Sequence, residues 1–231
     1  MKRLFLWILV ILAFGGGACQ QSAPPQTSQT QAASAPSPSA EANVPIVLAF
    51  GDSLTAGYGL SPAQSYPSLL QEKLSVDGYQ YKVVNAGIVG DTAATGLQRV
   101  EWALNGNVKF VILGLGGNDI LKHSSMAQTK EQLGQIITRI KAHNAEVLLA
   151  GLYAPPNSDP AYQKQVREAY HDLATEYKVA FVPFMLERVA GEKSLNLEDG
   201  IHPNAEGTKI VADTVYRALR PMLDKARQGQ H

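Results

Sequence analysis

From residue 44 onward the apolar residues follow two alternating rhythms. Short β-rich runs at 46–50, 82–85, 110–115, 146–150 and 180–182 predict strands, and their apolar continuity points to buried parallel strands in a sheet covered by helices. Between them, Leu133, Ile136, Ile137 and Ile140 repeat at i, i+3, i+4, i+7. So do Val166, Ala169, Tyr170 and Leu173, which gives each helix one apolar face. A last helix over about 205–219 places Val211, Val215, Ala218 and Met222 on one side, with Asn204 before it as a good N-cap. The alternation predicts an α/β fold, a three-layer α/β/α sandwich around a mostly parallel five-stranded sheet. In such sheets ligands bind outside the carboxyl ends of the strands, so chemistry is expected in the residues that follow each strand.

The first 43 residues follow neither rhythm. Lys2 and Arg3 precede an apolar run over 4–14, and Gly15 to Gly17, Ala18 and Cys19 follow it. That run is too short for the ~20 residues of a membrane-spanning helix, and its order is that of an export signal, here residues 1–19. Gly17-Ala18-Cys19 resembles a bacterial lipobox, which implies cleavage before Cys19, lipidation of that residue and membrane contact through the lipid anchor. Gln20, in place of an inner-membrane retention Asp, implies an outer-membrane destination where the organism has one. Gly16 departs from the aliphatic residue usual in a lipobox, so ordinary cleavage to the periplasm with an incidental cysteine stays open. Residues 20–43 are almost wholly Gln, Ser, Ala, Pro and Thr, with Glu41 as the one charge. They cannot build a core and read as a disordered linker with a reach of about 30 Å or more. Residues 44–223 are then the single folded domain and 224–231 a tail.

Charge narrows the partners. Lys plus Arg equal Asp plus Glu at 20 each, so the basic field that nucleic acid requires is missing. With one cysteine in the chain there is no internal disulfide, and neither a CxxC pair nor an HExxH helix offers a zinc site. No metal, no cofactor and no protein partner are expected; the substrate is small.

Four motifs follow the strands. After the first comes Gly51-Asp52-Ser53-Leu54, where glycine permits a tight turn and Ser53 opens a helix with its Oγ beyond the sheet. The bland alternative is that Ser53 only caps that helix. Position 55 is Thr, so this is not the G-x-S-x-G elbow. Near the end stands Asp199-Gly200-Ile201-His202-Pro203-Asn204. Pro203 keeps His202 out of the helix, and the spacing lets Asp199 accept the imidazole Nδ1 proton while Nε2 stays free for Ser53. Of the other histidines, His123, His143, His171 and His231, none has such an acid and turn beside it. Gly90 in Val89-Gly90-Asp91 and Asn118 in Gly116-Gly117-Asn118-Asp119 offer a backbone and a side-chain N–H. With the Ser53 N–H they would form a three-donor oxyanion hole, although turn chemistry explains either residue alone.

In their order these four blocks resemble those of the SGNH (GDSL) hydrolases, and the resemblance runs over nearly all of residues 46–221. It is nearest to the thioesterase I, lysophospholipase and arylesterase branch. It implies a flavodoxin-like SGNH hydrolase fold, Ser53 as nucleophile, Asp199 and His202 completing the triad, Gly90 and Asn118 as oxyanion donors, and hydrolysis of carboxylic and thio-esters of broad acyl range. Export away from cytoplasmic acyl-CoA points to lysophospholipids or other acyl esters of the envelope. Ile120, Leu121 and 153–156 could line an acyl groove or simply pack. An O-acetylesterase acting on carbohydrate or peptidoglycan is the alternative enzyme. A non-catalytic envelope lipoprotein is the alternative of another class, against which all five site residues are present.

Overall fold

The structure, a computed structural model, describes residues 44–229; the signal, Cys19, the linker and His231 lie outside the described residues. The chain runs β1 (Ile46–Gly51), α1 (Ser53–Ala56), a 3-10 turn (Pro62–Gln64), α2 (Tyr66–Val76), β2 (Lys82–Gly87), α3 (Ala93–Ala103) and β3 (Val108–Gly114). It continues through α4 (Gly117–Leu121), α5 (Met126–Ala142), β4 (Glu146–Ala150), α6 (Pro160–Tyr177), β5 (Ala180–Val182), a second 3-10 turn (Lys193–Leu195) and α7 (Ala205–Gln228).

The five strands form one sheet in the order β2-β1-β3-β4-β5, and every pairing is parallel. Helices α2 and α7 pack together on one face, and α3, α5 and α6 on the other. The three-layer sandwich follows, with the flavodoxin-like strand order. That order turns back on itself at β1, whose neighbours are β2 and β3, so a crevice opens beyond the carboxyl ends of β1 and β3. The predicted apolar stripes are the core: Leu133, Ile136, Ile137 and Ile140 are buried, as are Val166, Ala169, Tyr170 and Leu173. Asn204 caps α7, its Oδ1 accepting from the N–H groups of Glu206 and Gly207 at 3.0 Å.

Two elements depart from the sequence expectation. Strand β2 is only half-buried, because it is an edge strand. Its open side is served by the Gln71 side chain, whose Oε1 accepts from Val83 N–H at 2.7 Å and whose Nε2 donates to Tyr81 C=O at 3.1 Å, so part of the edge is already paired. Helix α7 passes the expected end near 219 and takes in residues 224–228, which composition assigns to a tail. Pro221 is tolerated because it and Arg217 are exposed, so the carbonyl left without an N–H partner is on the solvent side. Buried Leu219, Met222 and Leu223 prolong the apolar stripe, while Tyr79 donates to Asp224 and lies under the Arg227 guanidinium.

The carboxyl edge of the sheet is a row of glycines, Gly87, Gly51 and Gly114, in register on β2, β1 and β3. Helix α1 rests on this row. A Cβ at Gly51 would lie 2.1 Å from Thr55 Oγ1, and one at Gly87 would lie 2.2 Å from Ala56 N, so any side chain there would lift the helix and Ser53 with it.

Candidate active site

The turn after β1 separates two jobs that a serine in this place could combine. Asp52, almost wholly buried, is the N-cap of α1, and its Oδ1 accepts from Leu54 N–H at 3.0 Å. Ser53 is therefore not the cap, and its Oγ is free for another partner. That partner is His202 Nε2 at 2.9 Å. On the other side of the ring, His202 Nδ1 lies 2.7 Å from Asp199 Oδ2.

The Asp199–His202 spacing works because the loop folds into a tight hairpin. Gly200 takes a left-handed φ of +69°, Leu197 N–H donates to His202 C=O at 2.8 Å, and Asn196 bridges Pro203. Asp199 Oδ1 accepts from the Ile201 and His202 N–H groups at 2.9 and 3.0 Å. Partial burial pushes this carboxyl up, but those backbone donors and the imidazole outweigh it and hold it at about 2. An ionised carboxylate only accepts hydrogen bonds, so Nδ1 carries the proton and Nε2 is left to take one from the Ser53 hydroxyl.

Gly90 stands in the turn after β2 at a φ of +87°, which L side chains rarely adopt. Apart from Gly90 itself and its two chain neighbours, no described residue has an atom within 4 Å of where its Cβ would be. Asn118, in the first turn of α4, donates from Nδ2 to Asp91 C=O at 2.8 Å, which leaves its second amide N–H without a partner among the described residues. The two expected donors are thus joined through Asp91. Of the expected groove residues, Ile120 and Ala154 belong to the core, while Leu121 and Tyr153 are exposed. Tyr153 stacks on Phe184 with ring centroids 4.2 Å apart. His143 pairs with Glu101 at the surface.

Residues that sequence reasoning passed over hold these blocks together. Arg99 Nε donates to Asp91 Oδ2 at 2.6 Å and Nη2 to Gly51 C=O at 3.0 Å, with the guanidinium 4.1 Å above the Phe50 ring. Thr95 Oγ1 donates to the other Asp91 oxygen at 3.0 Å. Asp119, also buried, accepts from Ala93 N–H at 3.0 Å at the start of α3. The available signal was that Asp91 and Asp119 each adjoin a candidate donor; nothing local points to Arg99. Asp52 is a third unread carboxyl, which burial raises to about 6 against the pull of the Leu54 N–H and His202.

Two predictions follow from these charges. Replacing Arg99 by Ala strands the Asp91 carboxylate in a site where the paired side chains are only 14 % and 10 % exposed. The expected loss is about 3–5 kcal/mol in urea unfolding, and a loss under 1 kcal/mol would show that the pair does not hold the loops. The raised Asp52 value means that its stabilising protonated form is complete below the unfolded value near 4 and is lost as pH rises through about 6. Asp52→Asn keeps the cap acceptor and removes the charge. Its thermal midpoint should gain on the wild type between pH 4 and pH 7, and a gap constant with pH would contradict this.

Comparison with known proteins agrees with the geometry. Residues 49–210 match the GDSL-like Lipase/Acylhydrolase family. The chain is 40% identical to esterase TesA of Pseudomonas aeruginosa over 77% of its own length and 89% of the relative's. It is 38% identical to thioesterase 1/protease 1/lysophospholipase L1 of Escherichia coli, over 77% and 85%. The crystal structure of the psychrotrophic esterase EstA from Pseudoalteromonas sp., inhibited by monoethylphosphonate, superposes with a TM-score of 0.74 at 27% identity, covering 79% of this chain and all of that one. This chain belongs to the GDSL-like lipase/acylhydrolase family and is a serine ester hydrolase.

Proposed function

We propose that Ser53 is the nucleophile of this hydrolase, His202 its general base and acid, and Asp199 the group that fixes the imidazole. The observation that carries the reading is the unbroken chain Ser53 Oγ, His202 Nε2, His202 Nδ1, Asp199 Oδ2, at 2.9 and 2.7 Å. Ser53 Oγ attacks the ester carbonyl as its proton passes to Nε2. The negative oxygen of the tetrahedral intermediate is held by the backbone N–H groups of Ser53 and Gly90 and the unspent amide N–H of Asn118. The imidazolium, stabilised by Asp199, protonates the departing alcohol, and an acyl group remains on Ser53. Water then gives its proton to the same nitrogen and attacks the acyl-enzyme, which releases the acid and restores the serine.

The substrates are carboxylic esters with apolar acyl groups, and thioesters fit the same machinery because a thiolate departs with less help from an acid. Support comes from the exposed side chains of Ile88, Val89, Leu121, Tyr153 and Ile201. All stand in the segments that follow the strands, Leu121 at the end of α4 and the others in loops, where an acyl chain meets apolar surface instead of charge. The E. coli relative's name includes both thioesterase and lysophospholipase, which favours the same breadth.

We also propose that residues 1–19 export the protein and that lipidation of Cys19 anchors it to the cell envelope, where acyl lipids are the substrates. The order of Lys2, Arg3, the apolar run and Gly17-Ala18-Cys19 supports this. Expressed as the full chain in a bacterial host, the wild type should take up labelled palmitate and fractionate with membranes, and Cys19→Ser should do neither. Equal behaviour of the two would discard the anchor.

The enzymatic reading is tested with p-nitrophenyl esters from acetate to palmitate. Ser53→Ala should lower kcat by at least about 10⁴-fold, and Asn118→Ala by about 10²- to 10³-fold with a smaller change in KM. The rate should peak at an acyl chain longer than acetate. Activity confined to acetate would favour an O-acetylesterase, and a Ser53→Ala protein as active as the wild type would remove the nucleophile.

A further inference from the structure

Next to the Ser53–His202 pair stands an aromatic side chain for which the hydrolytic cycle so far has no use. Tyr58 belongs to the turn that ends α1. Gly57 caps that helix at a φ of +80°, and the N–H groups of Gly57 and Tyr58 both donate to Ser53 C=O at 3.1 Å. The following residue, Gly59, comes so near the His202 loop that a Cβ there would lie 2.6 Å from Leu197 Cδ1. Leu197 in turn donates its N–H to the His202 carbonyl. The serine turn is thus seated on the histidine loop, and this brings the Tyr58 ring against the imidazole, centroid to centroid 4.6 Å at a tilt of 42°.

Tyr58 is not a core residue. It is 47 % exposed, and its hydroxyl makes no hydrogen bond to any described residue. An aromatic ring left half in water beside a reacting centre, on a backbone fixed by the nucleophile's own carbonyl, is placed to touch substrate.

Which part of the substrate it touches follows from proton traffic. The carbonyl oxygen points to the Gly90 and Asn118 donors, in the loops after β2 and β3. The alcohol oxygen must receive its proton from His202 Nε2, so it leaves past the imidazole, against which the Tyr58 ring is packed. We infer that Tyr58 is the specificity-determining residue for the leaving alcohol, and that its ring selects planar, aromatic alcohols over small alkyl ones by stacking. This rests on the proposed roles of Ser53 and His202.

A pair of esters that share one acyl group isolates the effect. Phenyl butyrate and ethyl butyrate pass through the same butyryl-enzyme, so the ratio of their kcat/KM values reports acylation alone, and intrinsic reactivity cancels when variants are compared. Tyr58→Ala and Tyr58→Leu should lower the phenyl-to-ethyl ratio by about three- to tenfold, the range of an aromatic stacking contact. Tyr58→Phe should keep it. Thermal unfolding of each variant identifies those that are folded, and Leu preserves bulk if Ala does not. A ratio unchanged in the folded Leu or Ala variant, with both esters slowed alike, would mean that the ring only steadies His202 and would overturn the inference. So would a Tyr58→Phe ratio as low as that of Leu. A folded wild type inert towards both esters would instead strike at the roles of Ser53 and His202 themselves.

Discussion

The site depends on how closely a short helix is seated on the ends of the central strands. Helix α1 sits on the glycine row at the carboxyl edge of β2, β1 and β3, at distances that leave no room for a Cβ at Gly51 or Gly87. Because β1 is hydrogen-bonded along both edges, its end is fixed by two ladders, and a helix resting on it inherits that rigidity. The Ser53 side chain is therefore aimed by the sheet and not by a loop. Every other part of the site is positioned relative to that point, which matters because catalytic geometry tolerates errors of only about half an ångström.

Around it the protein uses carboxylates for opposite ends. Asp199 is partly open to solvent and saturated with donors, so it stays ionised and orients the imidazole. Asp52, sealed under α1 with a helix N–H for company, resists ionisation. Asp91 and Asp119 act as ties, one to Arg99 and the other to the first N–H of α3. The three loops after β1, β2 and β3 come from distant parts of the chain, and Arg99 with Asn118 stitches them into one wall. An open α/β sheet supplies a crevice; buried polar contacts of this kind give it a fixed shape.

Much of this was legible in the residues. Short β-rich runs mark the strands even where one end is polar or the strand lies at an edge, so all five strand positions could be read, to within two residues at their ends. The 3.6-residue stripes of α5 and α6 read as directly, and Asn204 announced α7 because its cap chemistry is local. The Asp199–His202 relation lies within one turn of chain and was visible for the same reason. What could not be read depends on distance. The place of β2 at the edge is set by strand order, which no local pattern encodes. The extension of α7 through Pro221 rests on burial of Leu223 and on contacts with Tyr79, far away in sequence. Ile120 and Leu121 are alike in composition, and only the direction of α4 sends one inward and the other to solvent. Asp52, not Ser53, turned out to hold the cap, because two adjacent capping residues compete and the sheet decides between them.

All five strands run the same way, and Val44 leads directly into the start of β1. The domain therefore has a handle and a mouth at opposite poles, separated by the length of a strand, about 20 Å. The described chain enters at the handle, a strand's length away from the Ser53–His202 pair. The polarity of the sheet thus keeps the entry of the chain away from the crevice in which the site lies.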